Sequence, residues 1–570
     1  MKTVYLIIIV LLVSSSVNNT TAGNGQEDRI LIPQNGYAGN LNKLAVVRTQ
    51  ADSFFITGPD HKVCFKGKLK GPAFWSYSGD WVQTADFSAL KTPVEYIFTI
   101  PGTHEKRKFL IRDDPYGDIA GAAVRALYLN RCSYAILPEF GGIYQREAGH
   151  TDREVYVHGS AASAGRPEGT VLSSPGGWYD AGDYNKYIVN SGITTYTMLL
   201  AWEYYPDFWK TRNLNIPESG NNIPDLLDET LYNLRWMLTM QDTDGGVYHK
   251  LTTKNFEPFI MPADAHEKRF VVQKNTAASL DFAATMAHAA LLLPDFSGEL
   301  PGLADSCRRA ATAAWEWCGK NPAVLYQQPT DISTGAYDDK DLRDEWFWAG
   351  VEMSLLTGSA FPDSLLGKLQ FQTPSWGSVA SLGLISALKA GGKITYDLFA
   401  RCQTVFYNYV DHLLAIADQS AWPVSLDYWA WGSNSDIANQ GLLKMIAYTY
   451  RRDVKYLYAA MNDMNYLTGV NPTGYCYITG FGEKSPVKIH HRVSGSDKVT
   501  DPIPGFLAGG PNTVVFADCP DIKRSLLPAI SYVDEECSYS TNEIAINWNA
   551  PLVFLSGAIS YSGTRLQETK

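Results

Sequence analysis

The chain has 570 residues, 45% of them apolar and 19% charged, which is enough to bury a large core in two or three domains and excludes a disordered chain. A formal net charge of −11, without any dense Lys/Arg run, argues against a nucleic-acid partner, whose phosphates need clustered cations. With 33 tyrosines and 15 tryptophans, an uncharged partner such as a sugar fits better, because flat rings with a polar edge suit sugar faces.

Lys2, an apolar run over residues 4–13 and a Ser/Thr/Asn-rich stretch ending at Ala22 make the three-part pattern of a signal peptide over residues 1–22. The apolar run is short for a bilayer span, and no cysteine stands near the cleavage region to take a lipid. The expectation is a soluble periplasmic or secreted protein without membrane insertion. From 23 to 112, short β-branched and aromatic runs, such as 44–47, 53–56 and 94–99, alternate with Gly, Pro and Asp turns and predict a small β-sandwich. The pattern turns helical at Ile119, which sets a domain boundary near residue 113.

Beyond it, apolar periodicity predicts helices near 118–131, 192–204, 223–241, 272–292, 300–319, 341–357, 376–390, 395–417, 435–449, 451–468 and 543–560. Antiparallel helix pairs joined by alternately short and long connections close into a ring, so 113–570 is expected to be a mainly α domain, an α/α barrel. The long connections at 133–190, 242–271 and 469–542 are where such a frame carries function. The cysteines are too spread for a disulfide framework, and most read as small buried hydrophobes. Cys307 and Cys318 share a predicted helix about 16 Å apart along its axis and cannot bridge, whereas Cys519 with Cys537 is geometrically open.

Three loop-borne blocks carry chemistry. In Gly176-Gly177-Trp178-Tyr179-Asp180-Ala181-Gly182-Asp183, two acids three residues apart sit on a glycine-rich loop before a helix. Glycosidic cleavage needs one carboxylate to take a proton from water and one carboxylic acid to protonate the leaving oxygen, so this close pair leaves the acid to be found elsewhere. The same two residues would also serve as a helix cap or a calcium site. Glu543 opens a predicted helix beside Ile544, Ala545 and Trp548, where lost hydration helps retain a proton. Against that, a helix N-terminus favours the charged form, and Glu is an ordinary first-turn capping residue. The third block runs from Asn465 to Gly482 and on to His490, His491 and Arg492, a turn with donors for sugar hydroxyls. Adjacent histidines point apart in most backbones, which disfavours a shared metal ion.

In this order, the blocks resemble glycoside hydrolase family 9, the endoglucanase family with an (α/α)6 barrel, over nearly all of the chain past the signal peptide. Asn35-Gly36-Tyr37, Lys43 and Ala85-Asp86-Phe87-Ser88 are similar to the immunoglobulin-like domain that precedes many family barrels. Pro224-Asp225-Leu226-Leu227-Asp228-Glu229, Met240-Gln241, Asp344-Glu345 and Trp431-Gly432-Ser433-Asn434 are also similar. The resemblance implies an inverting endo-β-1,4-glucanase acting on xyloglucan, mixed-linkage or cellulose-like glucan. Asp183 would be its base, Asp180 the partner that helps hold the water and Glu543 its general acid. Substrate contacts are expected from His490, His491, Arg492, Trp431 and Tyr179, and from Trp548, where family members often carry tyrosine.

No cofactor is required by this resemblance. Asp228 and Glu229 are candidate ligands for structural calcium, as in some relatives, or helix N-terminal carboxylates facing solvent. Some relatives bind zinc through a Cys, a Cys-His pair and a further His; here Cys132, His150 and His158 remain, but Gly149 stands where the second Cys would be. No cellulose-binding module or dockerin-like tail is expected after the barrel, so soluble, decorated glucans are expected in preference to crystalline cellulose; a monomer is also expected. Two further readings stay open: an exo-acting β-glucosidase or glucosaminidase of the same fold, and a carbohydrate-binding protein without catalysis.

Overall fold

The computed structural model describes residues 29–568; the expected signal peptide lies outside them. Eight strands form the N-terminal sandwich: β1 (Ile30–Leu31), β2 (Tyr37–Ala38), β3 (Leu44–Val47), β4 (Ser53–Thr57), β5 (Val63–Trp75), β6 (Asp80–Asp86), β7 (Glu95–Thr99) and β8 (Lys106–Arg112). Their order is β1-β3-β6-β5-β4-β7-β8-β2. The long strand β5 serves both layers: its first half pairs with β4, its second with β6, and its register shifts between Lys70 and Ala73. Such an irregularity bends a strand, here folding one ladder over the other. Phe54, Phe87, Phe98 and Phe109 fill the space between, with Phe54 stacked on Phe98 at 4.8 Å.

Twelve helices build the barrel: α1 (Gly117–Leu129), α2 (Ile188–Tyr204), α3 (Asp225–Thr239), α4 (Thr276–Leu292), α5 (Leu303–Lys320), α6 (Arg343–Thr357), α7 (Asp363–Leu366), α8 (Ala380–Lys389), α9 (Tyr396–Gln419), α10 (Ser433–Arg451), α11 (Val454–Leu467) and α12 (Ile546–Glu568). Burial sorts them into two rings. α4 and α10 are buried on almost every side, whereas α9 buries one stripe of Leu398, Cys402, Phe406, Val410 and Leu413. A helix apolar all round belongs inside, and one with a single stripe belongs outside. The even-numbered helices accordingly form the inner ring and the odd-numbered ones the outer, as an (α/α)6 barrel requires. The outer helix α7 is reduced to one turn, which is why no period announces it. Among the described residues one helix, Thr276–Phe296, is long and apolar enough to cross a membrane, and it is the buried inner helix α4 with the turn that follows it.

The sandwich keeps its own core, and the barrel's core extends onto one of its faces. Trp75, at the end of β5, packs on Trp422 and Trp429 of the barrel with ring centroids 5.9 and 5.8 Å away, and Leu31, Val46 and Val82 join the same cluster. A second sheet ties the long connections together: β9 (Val155–Val157), β10 (Val171–Leu172), β11 (Lys186–Tyr187), β12 (Lys250–Thr252) and β13 (Arg269–Val271), in the order β10-β9-β13-β12-β11. Strands of two or three residues are too short to show alternation, so the sequence did not announce them. Cys519 and Cys537 are disulfide-bonded with Cα atoms 5.3 Å apart, while Cys307 and Cys318 are buried thiols.

Candidate active site

The loop that holds Asp180 and Asp183 is pinned at both ends by buried charge. Lys186 Nζ donates to the Gly176 carbonyl at 2.7 Å and pairs with Asp152 at 2.7 Å. Arg269 pairs with the other oxygen of Asp152 at 3.2 Å and donates through Nη1 to the Tyr184 carbonyl at 2.8 Å. Burial disfavours the Asp152 charge, yet Arg269 and Lys186 hold its carboxyl below the usual range. Asp152→Ala leaves two buried cations uncompensated, and a loss of about 3–5 kcal/mol of stability is expected. Chemical denaturation of parent and variant measures it.

Asp183 is nearly buried on the cavity wall. Its Oδ2 accepts from Asn185 Nδ2 and from the Tyr187 hydroxyl, the latter at 3.0 Å. Its Oδ1 has no hydrogen-bond partner among the described residues. One oxygen is thus fixed and the other uncommitted, as suits a base that must meet a water. Asp180 stands behind it, off the cavity wall and fully buried. Asn190 Nδ2 donates to both of its oxygens at 2.9 and 3.0 Å, and the Tyr337 hydroxyl donates to one at 3.1 Å. Burial, and then the charge of Asp183, push the Asp180 carboxyl well above the usual range. Asp180 was expected to help hold the water; the structure places it behind Asp183, off the cavity wall.

Glu543 was expected to open a helix. It lies instead on an extended segment, φ −70° and ψ 159°, before α12 begins at Ile546. The reason is local pairing: Glu543 bridges to His490, and Ile544 to Ala508. This stitches two distant blocks together and aims the carboxyl at the same cavity as Asp183. Gly182 links them further, its amide donating to Glu543 Oε1 at 3.2 Å while its carbonyl accepts from Arg492 Nη1 at 2.7 Å. A Cβ at Gly182 would lie 2.4 Å from the His490 carbonyl oxygen and 3.0 Å from Glu543 Oε1, so only glycine permits this approach.

Burial, then the nearby Asp183 charge, raise the Glu543 carboxyl well above its ordinary 4.5. A carboxyl raised in the folded state stabilises the fold fully below its unfolded value and loses that contribution as pH climbs through the folded one. Glu543→Gln is therefore expected to lose less stability than the parent as pH rises above 4.5, the ordinary value. Melting temperatures across pH check this; parallel curves would contradict it.

His490, Arg492, Trp431 and Trp548 line the cavity with the two acids. His490 Nδ1 meets the Glu536 carbonyl at 2.7 Å and so carries the proton, leaving Nε2 as the acceptor of the neutral ring. Arg492 lies against Phe256 and Phe259, 5.5 and 5.3 Å from the ring centroids. Trp548 packs so closely on Gly432 that a Cβ there would come within 2.8 Å of its indole nitrogen.

Several expectations need correction. His491 faces away from the cavity: its backbone is extended, so neighbouring side chains point to opposite sides, and its ring bonds Ser494 and Asn130 at 3.0 and 3.2 Å. Tyr179 is fully buried, with its hydroxyl 2.9 Å from His150 Nδ1, so it supports the loop and meets no substrate. Glu229 does not fit a calcium site. Its carboxylate is taken by Arg131, 2.8 Å away, and by the Trp178 indole at 2.7 Å, and it is buried, not solvent-facing. Asp228 accepts from Asn221 at 3.2 Å, and no group of three metal-binding side chains forms among the described residues. The zinc remnant does not fit either: a Cβ at Gly149 would lie 2.1 Å from Pro262, and His150 is held through both nitrogens, the second by Glu257 at 2.8 Å.

Tyr187, Asn185, Asn190, Tyr337 and Gly182 escaped sequence reasoning as site residues. Gly182 alone carried a signal, a glycine between two acids in a loop.

A model described as glycosyl hydrolase family 9 matches residues 116–556, and one described as a cellulase N-terminal ig-like domain matches residues 25–105. The chain belongs to glycoside hydrolase family 9 and is a glycoside hydrolase, with an immunoglobulin-like domain ahead of its barrel. It is 40% identical over 553 residues to the xyloglucan-specific endo-β-1,4-glucanase of Bacteroides ovatus, covering 93% of this chain and 94% of that protein. Endoglucanase D of Acetivibrio thermocellus is 32% identical over 552 residues, covering 94% of this chain and 84% of that protein. A solved Bacteroides ovatus family 9 structure superposes with a TM-score of 0.87 at 40% identity, covering 94% of this chain and 99% of that one. A single mutant of a thermostable endoglucanase from Alicyclobacillus acidocaldarius gives 0.85 at 30% identity, covering 94% and 99%.

Proposed function

We propose that the protein is an inverting endo-β-1,4-glucanase of soluble β-glucans, with xyloglucan as its preferred polymer. The observation that carries this reading is a groove of about 1470 Å³ with Asp183 and Glu543 on its wall and Trp376, Trp431 and Trp548 along it. Ordinary small-ligand pockets span roughly 300–1,000 Å³, so this groove has room for several linked sugars. Likeness to a xyloglucan-specific relative favours the branched polymer, and family 9 membership supports inversion.

In this reading, Asp183 takes a proton from water as the water oxygen bonds to the anomeric carbon. Glu543 gives its proton to the glycosidic oxygen as the carbon–oxygen bond breaks. One bond forms, one breaks, and the two carboxyls exchange protonation states, to be reset through solvent. Asp180 holds the loop and its charge balance from behind, through Asn190 and Tyr337. His490 and Arg492 bond sugar hydroxyls, and Trp431 and Trp548 offer faces to the rings. We also propose that the chain is exported to the periplasm or beyond and acts as a monomer.

Digestion of a reducing-end-labelled cellohexaose tests the function. Internal cleavage to several oligosaccharides is expected. Release of single sugars from one end would establish the exo-acting reading, and binding without cleavage would establish the non-catalytic one.

A further inference from the structure

The inner ring has one loose seam: α8 and α10 pack less closely than any other neighbouring inner helices. The groove enters this seam as far as the outer helix α9, so that Tyr409 and His412 of α9 share its wall with Asp436 and Gln440 of α10. Asp436 and Gln440 are four residues apart and therefore on one face of α10. Neither side chain has a hydrogen bond or ion pair among the described residues, and Gln440 Oε1 is buried without a partner. Burial pushes the Asp436 carboxyl up to about 7. Buried polar groups in a native fold are almost always paired, so the unpaired Gln440 Oε1, with the half-buried Asp436 carboxyl one turn before it on the same cavity wall, points to a polar ligand. Above them Tyr428, 71% exposed on the connection to α10, offers a flat ring to the same groove.

We propose that this side pocket takes a pendant sugar of a branched β-glucan, Asp436 and Gln440 bonding its hydroxyls and Tyr428 covering its face. A carboxyl and an amide together accept from and donate to neighbouring hydroxyls, which is what a sugar ring presents. An unbranched chain lies along the main groove and sends nothing into the seam. This proposal rests on the glucanase reading above and adds the structural basis of its preference.

The test compares kcat/KM on xyloglucan and on unbranched mixed-linkage β-glucan for the full chain and for Asp436→Ala, Gln440→Ala and Tyr428→Ala. The ratio of xyloglucan to unbranched activity is expected to fall about tenfold in the two α10 variants, mainly through KM, as loss of a hydrogen bond to a charged or buried group implies. A fall of about threefold is expected for Tyr428→Ala, whose lost contact is a ring face. An unchanged ratio in variants active on the unbranched polymer overturns the pocket and leaves the glucanase reading standing. A parent that cleaves neither polymer overturns both. If the α10 variants fail to fold, the exposed position of Tyr428 keeps the test decisive: an unchanged ratio in Tyr428→Ala overturns the proposal.

Discussion

Replacing Asp183 by alanine is expected to lower kcat on soluble β-glucan by about 10²–10⁴-fold, the usual worth of a positioned general base or acid. Binding of the same glucan should persist, because the aromatic and cationic walls of the groove are untouched. Glu543→Gln is expected to fall in the same range, but for a different reason: the amide keeps the shape and has no proton to give. An aryl glycoside, whose leaving group needs little protonation, should therefore recover much of its rate in Glu543→Gln and none in Asp183→Ala. Steady-state kinetics on polymer and aryl substrate, with binding by calorimetry, separate the two roles. Parent-like kcat in either variant would remove that residue from the chemistry. In the parent, activity should fade on the alkaline side as the raised Glu543 carboxyl loses its proton.

Gly182→Ala should cost about a hundredfold in kcat, the scale of an ångström-sized misplacement of a catalytic group. The residue is not among those at positive φ, so alanine meets no backbone strain there. The damage comes from contact alone: the new methyl would sit 2.4 Å from the His490 carbonyl oxygen. The loop carrying Asp183 must then move away from the segment carrying Glu543. Since the Lys186–Asp152–Arg269 anchor is retained, the melting temperature should fall much less than activity. Normal kcat would mean that the two blocks do not need this close approach.

The helical frame was legible because α1 to α6 and α8 to α12 are long enough for several turns of apolar period. The one-turn α7 and the strands β9 to β13 were not, since no period can be read from two to four residues. Asp183 and Glu543 were legible as residue types in the right loops, yet their setting was not. Glu543 is extended because His490 and Ala508 pair with its segment, a long-range cause that its neighbours in sequence cannot reveal. The same holds for Asp180, whose burial depends on Tyr337, 157 residues away. His491 illustrates the reverse case: the rule that adjacent side chains diverge was available, and applying it would have kept only His490 at the groove. Glu229 was misread as a calcium ligand because Arg131 and Trp178, both distant in sequence, occupy its carboxylate.

The pairing of Asp183 and Glu543 across one glycosidic bond, with water attacking in a single displacement, is tested most directly by proton NMR of cellohexaose during the first moments of cleavage. Inversion predicts that the newly formed reducing ends appear first as the α-anomer and then relax toward the equilibrium mixture. New ends that appear first as the β-anomer would contradict it, because they would require a second displacement through a covalent intermediate.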